Sequence, residues 1–176
     1  MPRRPATIAP RAQRCSGWCE MTSEAYRGVQ AQLAALFEGE RNALANAANM
    51  CAVLFAALPA VNWAGFYFLK GTELVLGPFQ GKVACTRIPL GKGVCGSAAE
   101  RREILIVPDV HEFPGHIACD SASRSEIVVP LLQEQKLWGV LDVDSPQLER
   151  FDDEDRRGLK AAATLLVQAS DFSILL

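Results

Sequence analysis

Glu126 to Leu132 and Leu137 to Asp144 are two β-rich runs joined by the polar tetrapeptide Gln133 to Lys136, and no feature limits the fold of this chain more than that hairpin. Successive side chains of a strand point to opposite faces. Asp142 and Asp144 therefore share one face, and Glu126 opens the preceding strand of the same hairpin. An earlier hairpin is expected from Val61 to Leu69, where Trp63, Phe66, Tyr67 and Phe68 favour a strand, through the turn Lys70-Gly71-Thr72 to a strand from Glu73 to Leu76. Gly77-Pro78 breaks that run, and a third strand is expected from Lys82 to Ile88. The glycine-rich stretch Gly91 to Gly96 then reads as a loop leading into a short helix from Ser97 to Arg102, followed by a short strand from Ile104 to Val107.

Helical periodicity brackets these strands. Thr22 or Ser23 can cap a helix carrying Tyr26, Val29, Leu33, Leu36 and Phe37, which Gly39 can end. A second stripe follows at Leu44, Ala47, Ala48, Cys51, Leu54, Phe55 and Leu58, with Pro59 as its stop. A last helix begins at Phe151 to Asp155, with acids in its first turn and Leu159, Ala163, Leu166 and Val167 on its core face. The economical packing is an α+β fold, a central mostly antiparallel sheet with helices gathered mainly on one side.

A chain of 176 residues has room for one ordinary core, and 49% apolar against 22% charged residues excludes disordered and collagen-like classes. Lys plus Arg number 18 and Asp plus Glu 20, a net charge of -2, so no whole-chain field exists to hold nucleic acid or an anionic membrane. Apolar stretches such as Cys51 to Leu58 soon meet a proline, whereas a bilayer span needs about 20 residues. The start carries Arg3, Arg4, Arg11 and Arg14 among Pro2, Pro5 and Pro10, without an acid and without the apolar run of a secretory signal. Residues 1–21 are thus expected to form a disordered or targeting-like extension, and 22–176 a single domain. A cytoplasmic location is expected, with organellar import through the Arg-rich start left open.

Six cysteines without a secretory signal leave metal binding, redox catalysis or plain burial. Cys85, Cys95 and Cys119 are ten and twenty-four residues apart, and no CxxC pair occurs, so zinc-ribbon and thioredoxin-type motifs are absent. Cys51 falls on a core stripe, and Cys15 and Cys19 lie in the extension. His116 and Cys119 form an HxxC pair with no complementary pair to complete four ligands, so no metal is expected. Gly91, Gly93 and Gly96 lack a GKT or GKS ending, which discounts a phosphate cradle. Residues 108–124, with Pro108, Pro114 and Gly115 and no apolar periodicity, read as a long loop carrying His111, His116 and Cys119, and loops of that length are commonly functional.

Three cysteines in turns and loops near a carboxylate cluster suit redox chemistry, because one thiolate must reach a substrate and a second thiol the oxidised product. Buried or incidental thiols are the other reading of the same spacing. For Glu126, Asp142 and Asp144 the choice lies between an exposed acidic rim and a shared site in which each acid raises the others' pKa and keeps one protonated near neutral pH. Trp63 is either a core residue or the apolar wall of a pocket.

The stretch GPFQGKVACTRIPLGKGVCGSAA, then VPDVHEFPGHIACDSASRSEIVVPL, then GVLDVDSP closely resembles the free methionine-R-sulfoxide reductases, enzymes built on a GAF domain. The resemblance runs from about Asn62 to the final helix; the extension through Cys19 departs from it. It implies a GAF-like fold and the reduction of free methionine-(R)-sulfoxide. Cys119 would be the nucleophile that becomes a sulfenic acid, Cys85 the thiol that condenses with it to a disulfide, and Cys95 the alternative or second resolving thiol. It places Glu126, Asp142 and Asp144 in the substrate pocket, with Glu126 and Asp144 shared between the sulfoxide oxygen and the substrate ammonium, and Trp63 against the S-methyl group. No bound cofactor is implied, only an external thioredoxin-type reductant. Two other functions fit a GAF fold: a small-molecule sensor of nucleotide type, which ordinarily needs an output domain, and an interaction module whose helices pair two copies as a homodimer.

Overall fold

The computed structural model describes residues 16–115 and 121–175, with side chains from 24 to 115 and from 121 to 173. Two helices, α1 (Ser16–Phe37) and α2 (Ala43–Ala57), precede β1 (Trp63–Lys70), β2 (Glu73–Gly81) and β3 (Arg87–Pro89). Helix α3 (Gly93–Arg101) leads to β4 (Leu105–Val107), and the hairpin β5 (Ser125–Gln133) and β6 (Lys136–Ser145) leads to α4 (Asp153–Ala169). The strands form one sheet in the order β3-β2-β1-β6-β5-β4, and every neighbouring pair is antiparallel. No helix among the described residues is long and apolar enough to cross a membrane.

Strand alternation divides the molecule into two cores. Phe66, Phe68, Ile127, Val129, Leu131, Leu141 and Val143 face α1, α2 and α4, which bury Val29, Leu33, Met50, Leu54, Leu159 and Leu166 against them. Trp63, Tyr67, Val128 and Val140 face the other way, toward Val94, Cys95, Ala98 and Ala99 of α3. Since β3 and β4 are opposite edges of the sheet, the chain joining them must cross a face, and α3 is that crossing. Three helices on one side and one on the other satisfy the expected α+β arrangement.

Local chemistry sets the helix ends. Asn42 accepts hydrogen bonds from the amides of Leu44 and Ala45, both at 3.0 Å, and opens α2. Asp152 and Asp155 form a capping box at the start of α4. Asp155, 1% exposed, also accepts from Tyr26 Oη at 2.9 Å and from Arg150 Nη1 at 2.9 Å, so one carboxylate ties α1 to α4. The ring of Tyr26 lies where any Cβ at position 158 would stand, which accounts for Gly158 in the middle of α4.

Five expectations need correction. Helix α1 begins at Ser16, ahead of the caps expected at Thr22 or Ser23 and inside the segment read as an extension; residues 1–15 lie outside the described residues. Strand β2 runs through Gly77-Pro78 to Gly81 instead of stopping at Leu76, because a bulge opposite Phe66 takes up the proline, which has no ladder hydrogen to give. The third strand is only Arg87–Pro89, since Lys82 to Thr86 leaves the sheet as a loop. Helix α3 starts at Gly93, not Ser97, so Cys95 sits on a helix. On the helical stripes, Ala48 is exposed, as are Leu36, Leu44 and Phe55, while Met50 is buried.

Candidate active site

The pairing of β1, β6 and β5 sets Trp63, Asp144 and Glu126 in one row, with Asp144 between its two partners. The next row on the same face holds Gly65, Asp142 and Val128. Helix α3 lies over this face and lowers Cys95 onto the acids, its Sγ 3.8 Å from Glu126 Oε1. One donor atom each from Cys95, Glu126 and Asp142 lies within 4.8 Å of the other two. Glu126 and Asp142 are both 6% exposed and Cys95 4%, whereas Asp144 is half-buried. The acids are therefore not a solvated rim: three residues from three elements converge in a buried cluster, and Asp144 stands at its solvent side.

Burial sets the protonation of this cluster. It lifts Glu126 well above the usual carboxylate range, and the neighbouring charges of Asp142 and Asp144 lift it further. Burial likewise raises Asp142 to about 7, against hydrogen bonds from Cys95 and Glu126 that favour its charged form. The thiol of Cys95 is pushed well up by burial and then by the charges of Asp142 and Glu126. The site thus favours the protonated form of Glu126, able to donate to an oxygen, and the thiol form of Cys95, which has little nucleophilic character.

Trp63 lies on the same face of the sheet as the acids, packed into the core under α3. Its indole is 3% exposed, stacks on Phe79 with centroids 5.5 Å apart and on Tyr67 at 5.9 Å, and donates Nε1–H to the carbonyl of Lys82 at 3.1 Å. A Cβ at position 65 would meet Trp63 Cη2 and Phe79 Cβ, so Gly65 is what lets the ring lie flat on β1. Cys85 follows three residues after Lys82 in the loop that the indole bond holds, and it is half-buried against the same core as Trp63. Phe79, Tyr67, Gly65 and the Lys82 carbonyl are site features that sequence reasoning missed; only the aromatic residues themselves gave any signal.

Cys119 and His116 lie outside the described residues. The segment that follows them is fastened to the site end of the sheet: Asn62 Nδ2 donates to Ser123 Oγ at 3.1 Å, and the amide of Arg124 donates to the carbonyl of Ser145 at 2.7 Å. Cys51 is buried in the opposite core, raised to about 12 by desolvation, and donates to the Pro78 carbonyl at 3.2 Å, which makes it a core thiol as expected. Trp138 of β6 is half-buried and stacks on Phe172. A broad groove of about 610 Å³ between α4 and the β4–β5 edge, with Arg102, Arg157 and Lys160 on its rim, holds none of the expected site residues.

The chain matches the GAF domain family over residues 20–169. It is 52% identical over 138 residues to the free methionine-R-sulfoxide reductase of Escherichia coli, covering 78% of this chain and 84% of that one. Its structure is similar to that of the free methionine-R-sulfoxide reductase of Neisseria meningitidis, solved in complex with its substrate, with a TM-score of 0.80, 46% identity, and coverage of 84% of this chain and 89% of the other. It is also similar to a Burkholderia vietnamiensis protein described as a GAF sensor, with a TM-score of 0.82, 56% identity, and coverage of 85% of this chain and 95% of the other. Sequence and topology agree: the chain belongs to the GAF-domain family, alongside the free methionine-R-sulfoxide reductases.

Proposed function

We propose that this protein reduces free methionine-(R)-sulfoxide to methionine, with Cys119 as nucleophile. The observation that carries the reading is the row of Trp63, Asp144 and Glu126, which offers an apolar wall, an anion near solvent and a buried protonated acid across one face. A small zwitterion with a methyl sulfoxide needs all three: a wall for the S-methyl, an anion for the ammonium, and a proton for the oxygen as its bond to the substrate sulfur breaks. Asp142, beside Glu126, holds that acid in its protonated state.

The Cys119 thiolate attacks the sulfoxide sulfur while Glu126 protonates the oxygen, and the hydroxyl passes to Cys119 as the bond between the two sulfurs breaks, so methionine departs and Cys119 becomes a sulfenic acid. Two electrons pass from the thiol to the sulfoxide. Cys85 then displaces water from the sulfenic acid and forms a disulfide, which an external thioredoxin-type dithiol reduces to restart the cycle. Four residues of chain span at most about 14 Å, so Cys119 stays within that reach of Ser123 and hence of the β1 end that carries Trp63. Cys95 fits the resolving role less well than Cys85, because burial and two neighbouring acids hold it as a thiol. No prosthetic group is called for, and a cycle ending in thiol reduction suits a reducing compartment such as the cytoplasm, whether the protein acts alone or as a homodimer. The direct trial is consumption of separated methionine sulfoxide diastereomers with dithiothreitol as reductant. Methionine should appear from the free (R) form alone.

A further inference from the structure

We propose that Cys95, Glu126 and Asp142 together bind a divalent cation of the zinc class. The three donors come from α3, β5 and β6, which are far apart in sequence, so no contiguous motif announces them. Their donor atoms all lie within 4.8 Å of one another, and the Cys95 Sγ to Glu126 Oε1 separation is 3.8 Å. Around tetrahedral zinc, with bonds of about 2.3 Å to sulfur and about 2.0 Å to oxygen, neighbouring donors stand roughly 3.5 Å apart. The Cys95 to Glu126 pair already stands within about 0.3 Å of that spacing.

A second observation points to a ligand. Asp142 Oδ1 is buried and has no hydrogen-bond partner among the described residues, although a buried carboxylate oxygen ordinarily has one. The contacts of Asp142 with Cys95 and Glu126 thus leave one of its carboxylate oxygens unused, and a dication compensates buried anions more completely than a hydrogen bond between them. The donor set also selects the metal. One thiolate with two carboxylates suits zinc or cobalt, while magnesium and calcium take six or more oxygens and have no use for sulfur. On binding, the thiol and any protonated carboxyl release their protons to solvent, no electron moves, and a water completes the fourth position.

The consequence for activity rests on the proposed function: a cation held by Glu126 and Asp142 takes the groups the sulfoxide needs, so excess zinc stops turnover. The site itself is tested without turnover. Co²⁺ titrated into the full-length reduced protein under anaerobic conditions should produce one equivalent of thiolate-to-cobalt charge-transfer absorption, removed by one equivalent of Zn²⁺. The band should vanish in Cys95→Ser, and Co²⁺ affinity should fall at least tenfold in Asp142→Asn. It should persist in Cys51→Ser and in the Cys15→Ser/Cys19→Ser double variant, which removes the other thiols spaced to share a metal. Absence of the band in the wild-type protein, its survival in Cys95→Ser, or its loss in the Cys15/Cys19 variant overturns the proposal. A protein that binds Co²⁺ in this way and leaves methionine sulfoxide untouched overturns the reductase reading alone.

Discussion

Asp144 lies directly across from Glu126 on the β5–β6 ladder and directly across from Trp63 on the β1–β6 ladder. One residue therefore stands between the buried acid and the indole on one face of the sheet, and under the proposed function the roles of the two acids should separate when each is replaced. Glu126→Gln keeps the shape but has no proton to give, so kcat should fall by about a hundredfold or more, the usual scale for a lost general acid. Asp144→Asn removes the anion nearest solvent and should mainly raise KM. Steady-state kinetics of both variants checks the assignment; wild-type values in both would move the proton donor to Asp142.

The pH dependence has a defined sign. Glu126 and Asp142 are raised by burial, so the folded protein holds more protons than the unfolded chain in the range where free carboxylates titrate. Their contribution to stability is fully present below about pH 4 and is lost as the pH rises toward about 7, where Asp142 ionises in the fold. The wild-type Tm should therefore fall between pH 5 and pH 8, and Asp142→Asn should flatten that slope by about 5 °C or more. Thermal melts across the range read this directly. Activity should be bell-shaped, limited at high pH by loss of the Glu126 proton and at low pH by loss of the Cys119 thiolate.

Much of the site was legible because hairpins obey arithmetic. Once Gln133 to Lys136 is read as a turn, the alternation along β6 puts Asp142 and Asp144 on one face and Leu141 and Val143 on the other, and Glu126 follows. Three features were hidden because they depend on partners remote in sequence. Pro78 lies inside β2 only because β1 accepts a bulge at Phe66. Helix α3 begins among glycines that helices ordinarily avoid, because a Cβ at Gly96 would collide with the Pro89 carbonyl. The burial of Cys95 follows from that start and could not be read from a stretch that looked like a loop.

Gly65→Ala tests the packing around Trp63. Its new methyl meets the indole and Phe79, so the ring must tilt away from β1. Overpacking of this kind costs about 1–3 kcal/mol, and KM should rise by about tenfold or more as the apolar wall moves. Trp63→Phe, a smaller change that respects the site's shape, should lie between this variant and the wild type.

The Tyr26–Asp155–Arg150 network predicts a stability effect without a catalytic one. Asp155→Ala strands the buried guanidinium of Arg150, 10% exposed, and should destabilise by about 3–5 kcal/mol, whereas Tyr26→Phe removes one hydrogen bond and should cost about 1–2 kcal/mol. Urea denaturation measures both. Specific activity of the folded fraction at low temperature should match the wild type in each.

Single-turnover counting separates the cysteines. Cys119→Ser should release no methionine, Cys85→Ser about one per protein before stalling, and Cys95→Ser should continue to turn over with a dithiol, since the buried Cys95 thiol is poorly ionised. Peptide mapping of substrate-oxidised protein should join Cys119 to Cys85; a Cys119–Cys95 bridge alone would transfer the resolving role.

The most direct measurement of the central claim is the yield of methionine from each diastereomer of free methionine sulfoxide and from an oxidised methionine inside a peptide, with dithiothreitol in excess. A pocket with an anion for the free ammonium and a wall for one orientation of the S-methyl predicts complete conversion of the free (R) form and little of the other two. Equal rates on the two diastereomers, or faster reduction of the peptide, would contradict the account.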